Sequence, residues 1–187
     1  ENTRRGNAIL GDRYRTLWGR DYLTDTLCGL ELRLSVPSFY QVNHDQAQRL
    51  YEKALEYAGL TGRELAVDLY CGAGTITQVL ARRARHVIGG EIVPEAIRDA
   101  EDSARRNGVE NARFLCDDAG RFMQKLAKDG NAPDVVMMDP PRAGSDQKFL
   151  QSLLMLKPKR VVYVSCNPET LARDLRVLVD GGYRAEW

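Results

Sequence analysis

No apolar run in this chain of 187 residues approaches the roughly 20 residues of a bilayer-spanning helix, and no signal-peptide pattern opens it. The four cysteines, Cys28, Cys71, Cys116 and Cys166, are scattered without a Cys-x-x-Cys pair. That argues against a zinc or other metal site and against a disulfide framework, and it fits a reducing cytoplasm. Charge of one sign is also lacking. Lys and Arg number 27 against 26 Asp and Glu, a net charge of +1, so nucleic-acid binding would need a local basic patch or another domain. Hydrophobic residues at 43% and charged residues at 28% are ordinary for one globular domain.

What is present is organised around Glu64 to Thr77. Leu65 to Tyr70 is a short apolar run with one acid, Asp68, and reads as a buried strand. Gly72 and Gly74 free the backbone to turn, and Ile76, Val79 and Leu80 then recur at helical spacing. A strand, a Gly-rich turn and a helix form the first unit of a nucleotide-binding α/β fold, whose ligands sit at the carboxyl ends of the strands. No Lys-Ser/Thr follows the glycines, which argues against a triphosphate loop, and the third glycine of a pyrophosphate loop is missing. Glu91 closes the next strand about 20 residues on, where an acid holds ribose hydroxyls. A phosphate-poor, ribose-holding site suggests S-adenosylmethionine; a strand-end turn without a ligand is the plainer alternative.

Taken in order, residues 1–36 read as a β-rich arm. Leu30, Leu32 and Leu34 alternate with Glu31, Arg33 and Ser35, and glycines punctuate short runs before them. Arg4, Arg5, Arg13, Arg15 and Arg20 interleave with Tyr14, Trp18 and Tyr22, a mixture able to grip RNA or simply to form a solvated face. Residues 37–187 form the second unit. Asn43, followed by Gln46, starts a helix that Gly59 stops, with Leu50, Ala54, Leu55 and Ala58 on its apolar side and His44 a solvated first-turn residue. Gln41 is the polar exception before it, suited either to a ligand or to a local backbone group. Strands follow at 86–91, 112–116, 134–138 and 160–164, with a helix at 94–107, as a mostly parallel sheet requires. Asp118, after the third of the sheet strands, can meet an adenine amino group, cap the next helix, or do both.

Two strand tips carry the chemistry. Asp139-Pro140-Pro141-Arg142 is stiff, because two prolines fix φ and remove two donors, and it presents an acid and an arginine at the glycine-loop edge. Ser165-Cys166-Asn167-Pro168 sets a thiol before a helix that Asn167 can cap and Pro168 can begin. A helix N-terminus favours a thiolate nearby, so Cys166 reads as a nucleophile, whereas Cys28, Cys71 and Cys116 read as inert core residues.

With these blocks in order over residues 38 to 174, together with Ser38-Phe39-Tyr40-Gln41-Val42-Asn43, the chain resembles the RNA (uracil-5-)-methyltransferases, which make 5-methyluridine in ribosomal or transfer RNA. The resemblance implies a Rossmann-like class I methyltransferase fold, truncated before its last strands. It also implies an S-adenosylmethionine site lined by Gln41, Tyr70, Glu91, Asp118 and Asp139, with Gly72 and Thr75 in the loop. Cys166 would be the nucleophile, Arg142 and Asn167 would face the substrate, and the RNA would be 23S rRNA rather than tRNA. Cytosine-C5 methylation and a non-catalytic cofactor- or RNA-binding module are the competing readings; no obligate protein partner is implied.

The family's proton-abstracting glutamate belongs to a later His-x-Val-Glu-like motif that nothing before Trp187 matches, and Glu169 and Glu186 lack that context. The N-terminal RNA-binding barrel and the iron–sulfur cysteines of some relatives are likewise without a match. Both ends read as cut, Trp187 just as a strand is expected after Gly182. A piece that binds cofactor but turns over poorly is expected.

Overall fold

Two residues of an α-helix and the residue that ends it, spaced four apart, hold the edge of a β-hairpin and tie it to the rest of the fold. The computed structural model describes residues 14–130 and 132–186. Strands β1 (Tyr22–Leu27) and β2 (Leu30–Ser35) pair antiparallel. The β2 leucines point inward, and Leu27, Leu30, Leu32 and Leu34 are all buried. On the far edge of β2, Glu31 N–H donates to Asn107 Oδ1 (2.9 Å), Arg33 N–H to Ser103 Oγ (3.1 Å) and Ser35 N–H to Asp99 Oδ2 (2.7 Å). All three acceptors lie on α3 (Pro94–Arg106) or at its C-cap. Four helical residues rise about 6.0 Å and two strand residues about 6.6 Å, so helix and strand keep step over this length. Residues 14–21 form no strand. Arg4, Arg5 and Arg13 lie outside the described residues.

After the hairpin come α1 (His44–Ala58), β3 (Leu65–Leu69), α2 (Thr75–Ala81), β4 (His86–Glu91), α3, β5 (Ala112–Cys116), α4 (Ala119–Lys128), β6 (Val135–Met138), α5 (Gln147–Leu156), β7 (Arg160–Tyr163) and α6 (Pro168–Asp180). The five later strands form one parallel sheet in the order β5-β4-β3-β6-β7. Successive strands run outward from β3 to β5, and the chain then crosses to β6 on the other side of β3. That reversal opens a crevice beyond the carboxyl ends of β3 and β6.

The alternation along β3 explains the two cores. Ala66 faces α1, α2 and the hairpin, whereas Val67 and Leu69 face α4, α5 and α6. The buried stripe of α1 is Ala47, Tyr51, Ala54 and Ala58; Leu50 is exposed, a correction to the expected apolar face. The helix rotates so that Tyr51, not Leu50, fills the space over the sheet. Asn43 caps it through Oδ1 (3.4 Å from Gln46 N), and Gly59 ends it at φ +57°. His44 is partly exposed but not merely solvated, because its Nε2 lies 2.6 Å from Thr26 O and links α1 to β1. No strand forms at 183–186. Tyr183 N–H instead donates to Leu178 O and its hydroxyl to Pro158 O (2.8 Å), so this residue closes α6. Among the described residues no helix is long and apolar enough to cross a membrane, and no cluster of His, Cys, Asp and Glu could hold a metal ion.

Candidate active site

The carboxyl edge of the sheet gathers the strand-tip motifs. At the end of β3, Tyr70 takes a left-handed φ of +65°, which is uncommon outside glycine and throws the chain out of the strand. Its half-buried ring packs edge-on against Phe149, with centroids 6.3 Å apart. Gly72 (φ +53°) and Gly74 (φ +77°) continue the turn. A side chain at Gly74 would meet Ala100 Cβ and Phe114 Cε1, both at 2.7 Å. Gly72 is open but for the Phe39 carbonyl, 3.9 Å from where a Cβ would sit. That neighbour brings the segment carrying Gln41 beside the loop. Gly74 caps α2 with no side chain of its own, and Thr75 begins that helix, buried.

Glu91, the last residue of β4, locks this loop. Its Oε2 accepts from Gly72 N–H (3.1 Å), and its Oε1 accepts from Ile92 (2.7 Å) and Val93 (3.0 Å) N–H. A carboxylate that satisfies three main-chain donors is firmly oriented, and with Oε1 accepting two of them it is Oε2 that keeps lone-pair capacity for a further donor. Beyond β5, Asp118 caps α4, its Oδ1 accepting from Gly120 and Arg121 N–H (both 3.1 Å). Its neighbour Asp117 is engaged by Arg121 and Lys125. Cys116, expected in the core, is exposed at the β5 tip, because this edge strand leaves its end uncovered; Cys28 and Cys71 are buried as expected.

Two acids sit at the crevice itself. Asp68 is 1% exposed; Thr77 Oγ1 donates to its Oδ2 at 2.6 Å, and its Oδ1 has no partner among the described residues. Burial raises its pKa to about 7 against the opposing Thr77 bond, and the nearby Asp139 charge adds to the rise. Asp139, just past β6, is pushed up by burial to about 6. Sequence reading noted Asp68 only as an acid in an apolar run, yet that was the available signal: an unpaired carboxylate in a central strand is costly.

The last tip carries Cys166, which is exposed immediately before α6. Asn167 caps the helix by accepting from Glu169 N–H (3.1 Å), and Pro168 takes its first turn. The Asn167 amide also donates to Arg142 O (3.1 Å), joining the cysteine tip to the Pro-Pro-Arg tip. Met138 pairs with Tyr163 in register, so the two tips leave adjacent strands at one level. The Arg142 side chain is exposed there. Gln41, Tyr70, Gly72, Glu91, Asp139, Arg142, Cys166 and Asn167 thus border one edge, with Asp118 at its β5 end. A cleft of about 520 Å³ lies elsewhere, between α3 and β5.

Known proteins resemble this chain in both fold and sequence. Over 94% of the chain, the fold superposes on the Pyrococcus abyssi tRNA (uracil-54, C5)-methyltransferase in complex with S-adenosyl-L-homocysteine, with a TM-score of 0.78 and 33% identity, covering 42% of that protein. In sequence, 99% of the chain is 52% identical to an uncharacterized RNA methyltransferase of Halalkalibacterium halodurans and 48% identical to one of Listeria monocytogenes. The chain spans about two fifths of the length of these relatives, 40% and 41% respectively. The family model described as tRNA (uracil-5-)-methyltransferase matches residues 13–183, from before the hairpin to just past the end of α6, and the chain belongs to that family.

Proposed function

We propose that this chain is the cofactor-binding and nucleophile-bearing part of an enzyme that methylates C5 of a uridine in RNA. The observation that carries the reading is the exposed Cys166 at the β7 tip, tied through Asn167 to the Asp139–Arg142 loop at the sheet's switch point. Gly72 and Gly74 have positive φ and no side chains, and the Gly72 amide is held by an oriented Glu91 carboxylate. Such a cradle fits an adenosyl group. Gln41, Tyr70, Gly72, Thr75, Glu91, Asp118 and Asp139 would hold S-adenosylmethionine, which when bound supplies an electrophilic methyl group.

Uracil C5 is a weak nucleophile. Addition of the Cys166 thiolate to C6 forms a C–S bond and moves the ring electrons into an enolate, making C5 nucleophilic. Once C5 carries the methyl, a base takes its proton, the C6–S bond breaks and the thiolate returns. No residue in this chain matches the family's base motif, so the chain alone is proposed to complete turnover poorly or not at all. Reaching the base requires an unstacked nucleotide, and Arg142 and Asn167 border the place it would enter. Residues 1–36 are proposed as an RNA-contacting arm beside the catalytic unit 37–187; Trp18 there is 94% exposed, with Leu17 beside it and Tyr14 also exposed.

The test is calorimetric titration with S-adenosylhomocysteine, with NAD as the control, followed by covalent capture of 5-fluorouridine-containing ribosomal and transfer RNA. Saturable binding of S-adenosylhomocysteine alone, abolished by Glu91→Ala, and capture abolished by Cys166→Ala with cofactor affinity intact are expected. Capture that survives Cys166→Ala would overturn the nucleophile. The two RNA arms distinguish the substrates, and capture through cytosine in place of uridine would establish the cytosine reading.

A further inference from the structure

One face of α6 holds nearly the whole loop that follows β6. The Asn167 amide and Thr170 Oγ1 both donate to Arg142 O, at 3.1 and 3.2 Å. One turn further, Arg173 Nη2 donates to Ala143 O (2.9 Å) and Ser145 O (3.2 Å). Asp174, 0% exposed, accepts from Ser145 N–H (2.7 Å) and the Tyr163 hydroxyl (2.7 Å) on Oδ2, and from Arg173 Nε on Oδ1 (2.8 Å). Gly144 at φ +74° makes the approach possible, since a Cβ there would meet Arg173 Nη2 at 2.5 Å and Asp174 Oδ2 at 2.7 Å.

Helix capping does not require this arrangement, because Asn167 and Pro168 already begin α6. A loop stiffened by two prolines would turn without it. The four residues instead connect the segment next to Asp139 with the helix that starts two residues after Cys166. We propose that Asn167, Thr170, Arg173 and Asp174 form a clamp that sets the position of the Asp139–Arg142 loop against Cys166, with Arg173 the positioning residue that spans it. This rests on Cys166 being the nucleophile. Arg173 is half-exposed at the rim, so its replacement tests placement and not the core. A nucleophile displaced by about 1 Å from its target loses on the order of 100-fold in rate.

Arg173→Lys keeps the charge but cannot bridge two carbonyls and a carboxylate in one plane. Thr170→Val keeps the shape and removes one donor. Arg176→Gln, on the same helix but paired only with Asp180 among the described residues, is the control. Three quantities are measured in each: the single-turnover rate of 5-fluorouridine RNA capture at saturating cofactor, S-adenosylhomocysteine affinity, and amide exchange over residues 142–146. Arg173→Lys is expected to slow capture about 10- to 100-fold and to speed exchange at 142–146, with cofactor affinity held within about twofold. Thr170→Val should do the same to a smaller degree, and Arg176→Gln should do neither. Unchanged capture and exchange in both clamp variants, or capture falling only in proportion to cofactor binding, would overturn the clamp. If wild type captures no RNA, the function proposed above fails, and the exchange comparison still decides whether the clamp exists.

Discussion

Asp99 gives the most direct test of how the hairpin is held. Its Oδ2 accepts three donors at once: Ser35 N–H at 2.7 Å, and the Ser35 and Ser38 hydroxyls, each at 2.6 Å. Asp99→Ala removes all three. The hydroxyls lie 3.2 Å apart and can bond each other, which leaves the amide and one hydroxyl without a partner. Each orphaned donor costs about 1–3 kcal/mol, and partial access for water at Ser35 favours the low end. A loss of about 2–3 kcal/mol follows, or roughly 5–10 °C in Tm for a chain of this size. Asp99→Asn keeps one acceptor oxygen and should cost about 1 kcal/mol. Urea unfolding followed by circular dichroism measures the loss, and amide exchange locates it. Protection should fall across residues 31–38 and, because Gln41 continues that segment, S-adenosylhomocysteine affinity should fall with it. An Asp99→Ala cost below about 0.5 kcal/mol, the size of an ordinary surface change, or exchange spread evenly over the sheet would refute the reasoning.

Two further predictions follow from the crevice. Asp68 has an ordinary carboxylate pKa when unfolded but about 7 when folded, so the folded state binds the extra proton and stability falls as pH rises from about 4 to 7. The shift corresponds to at most ~4 kcal/mol. Unfolding midpoints across that range should decline in wild type and decline less in Asp68→Asn, the remaining fall up to about pH 6 coming from Asp139; parallel profiles would show that Asp68 is not the cause. Gly74→Ala combines a left-handed φ with two 2.7 Å contacts and should cost about 2–4 kcal/mol. Gly62→Ala at φ +93°, with open space around it, should cost only about 1 kcal/mol. Equal losses by denaturant titration would mean that the contact with Phe114 and Ala100 has no energetic weight.

Local chemistry in the sequence was enough to set the strand-turn-helix at 65–81, the caps Asn43, Asp118 and Asn167, the stop at Gly59 and the five-strand parallel sheet. Each follows from groups a few residues apart: a side-chain oxygen and the amides two or three positions on, or a period of apolar residues against one face. The motif tips were legible for the same reason, since a parallel sheet places every strand's carboxyl end on one edge. What the sequence could not determine depends on groups far apart in the chain meeting in space. Tyr51 displaced Leu50 in the core because the sheet, not the helix, chooses which part of an apolar stripe is covered. Cys116 was exposed because β5 lies at a sheet edge. Asp99 meets Ser35 across 64 residues, and Asp174 meets Ser145 across 29; neither acid looks different from a solvated helical acid when read alone. Only the folded chain removes these carboxylates from water and supplies the donors that make the burial tolerable.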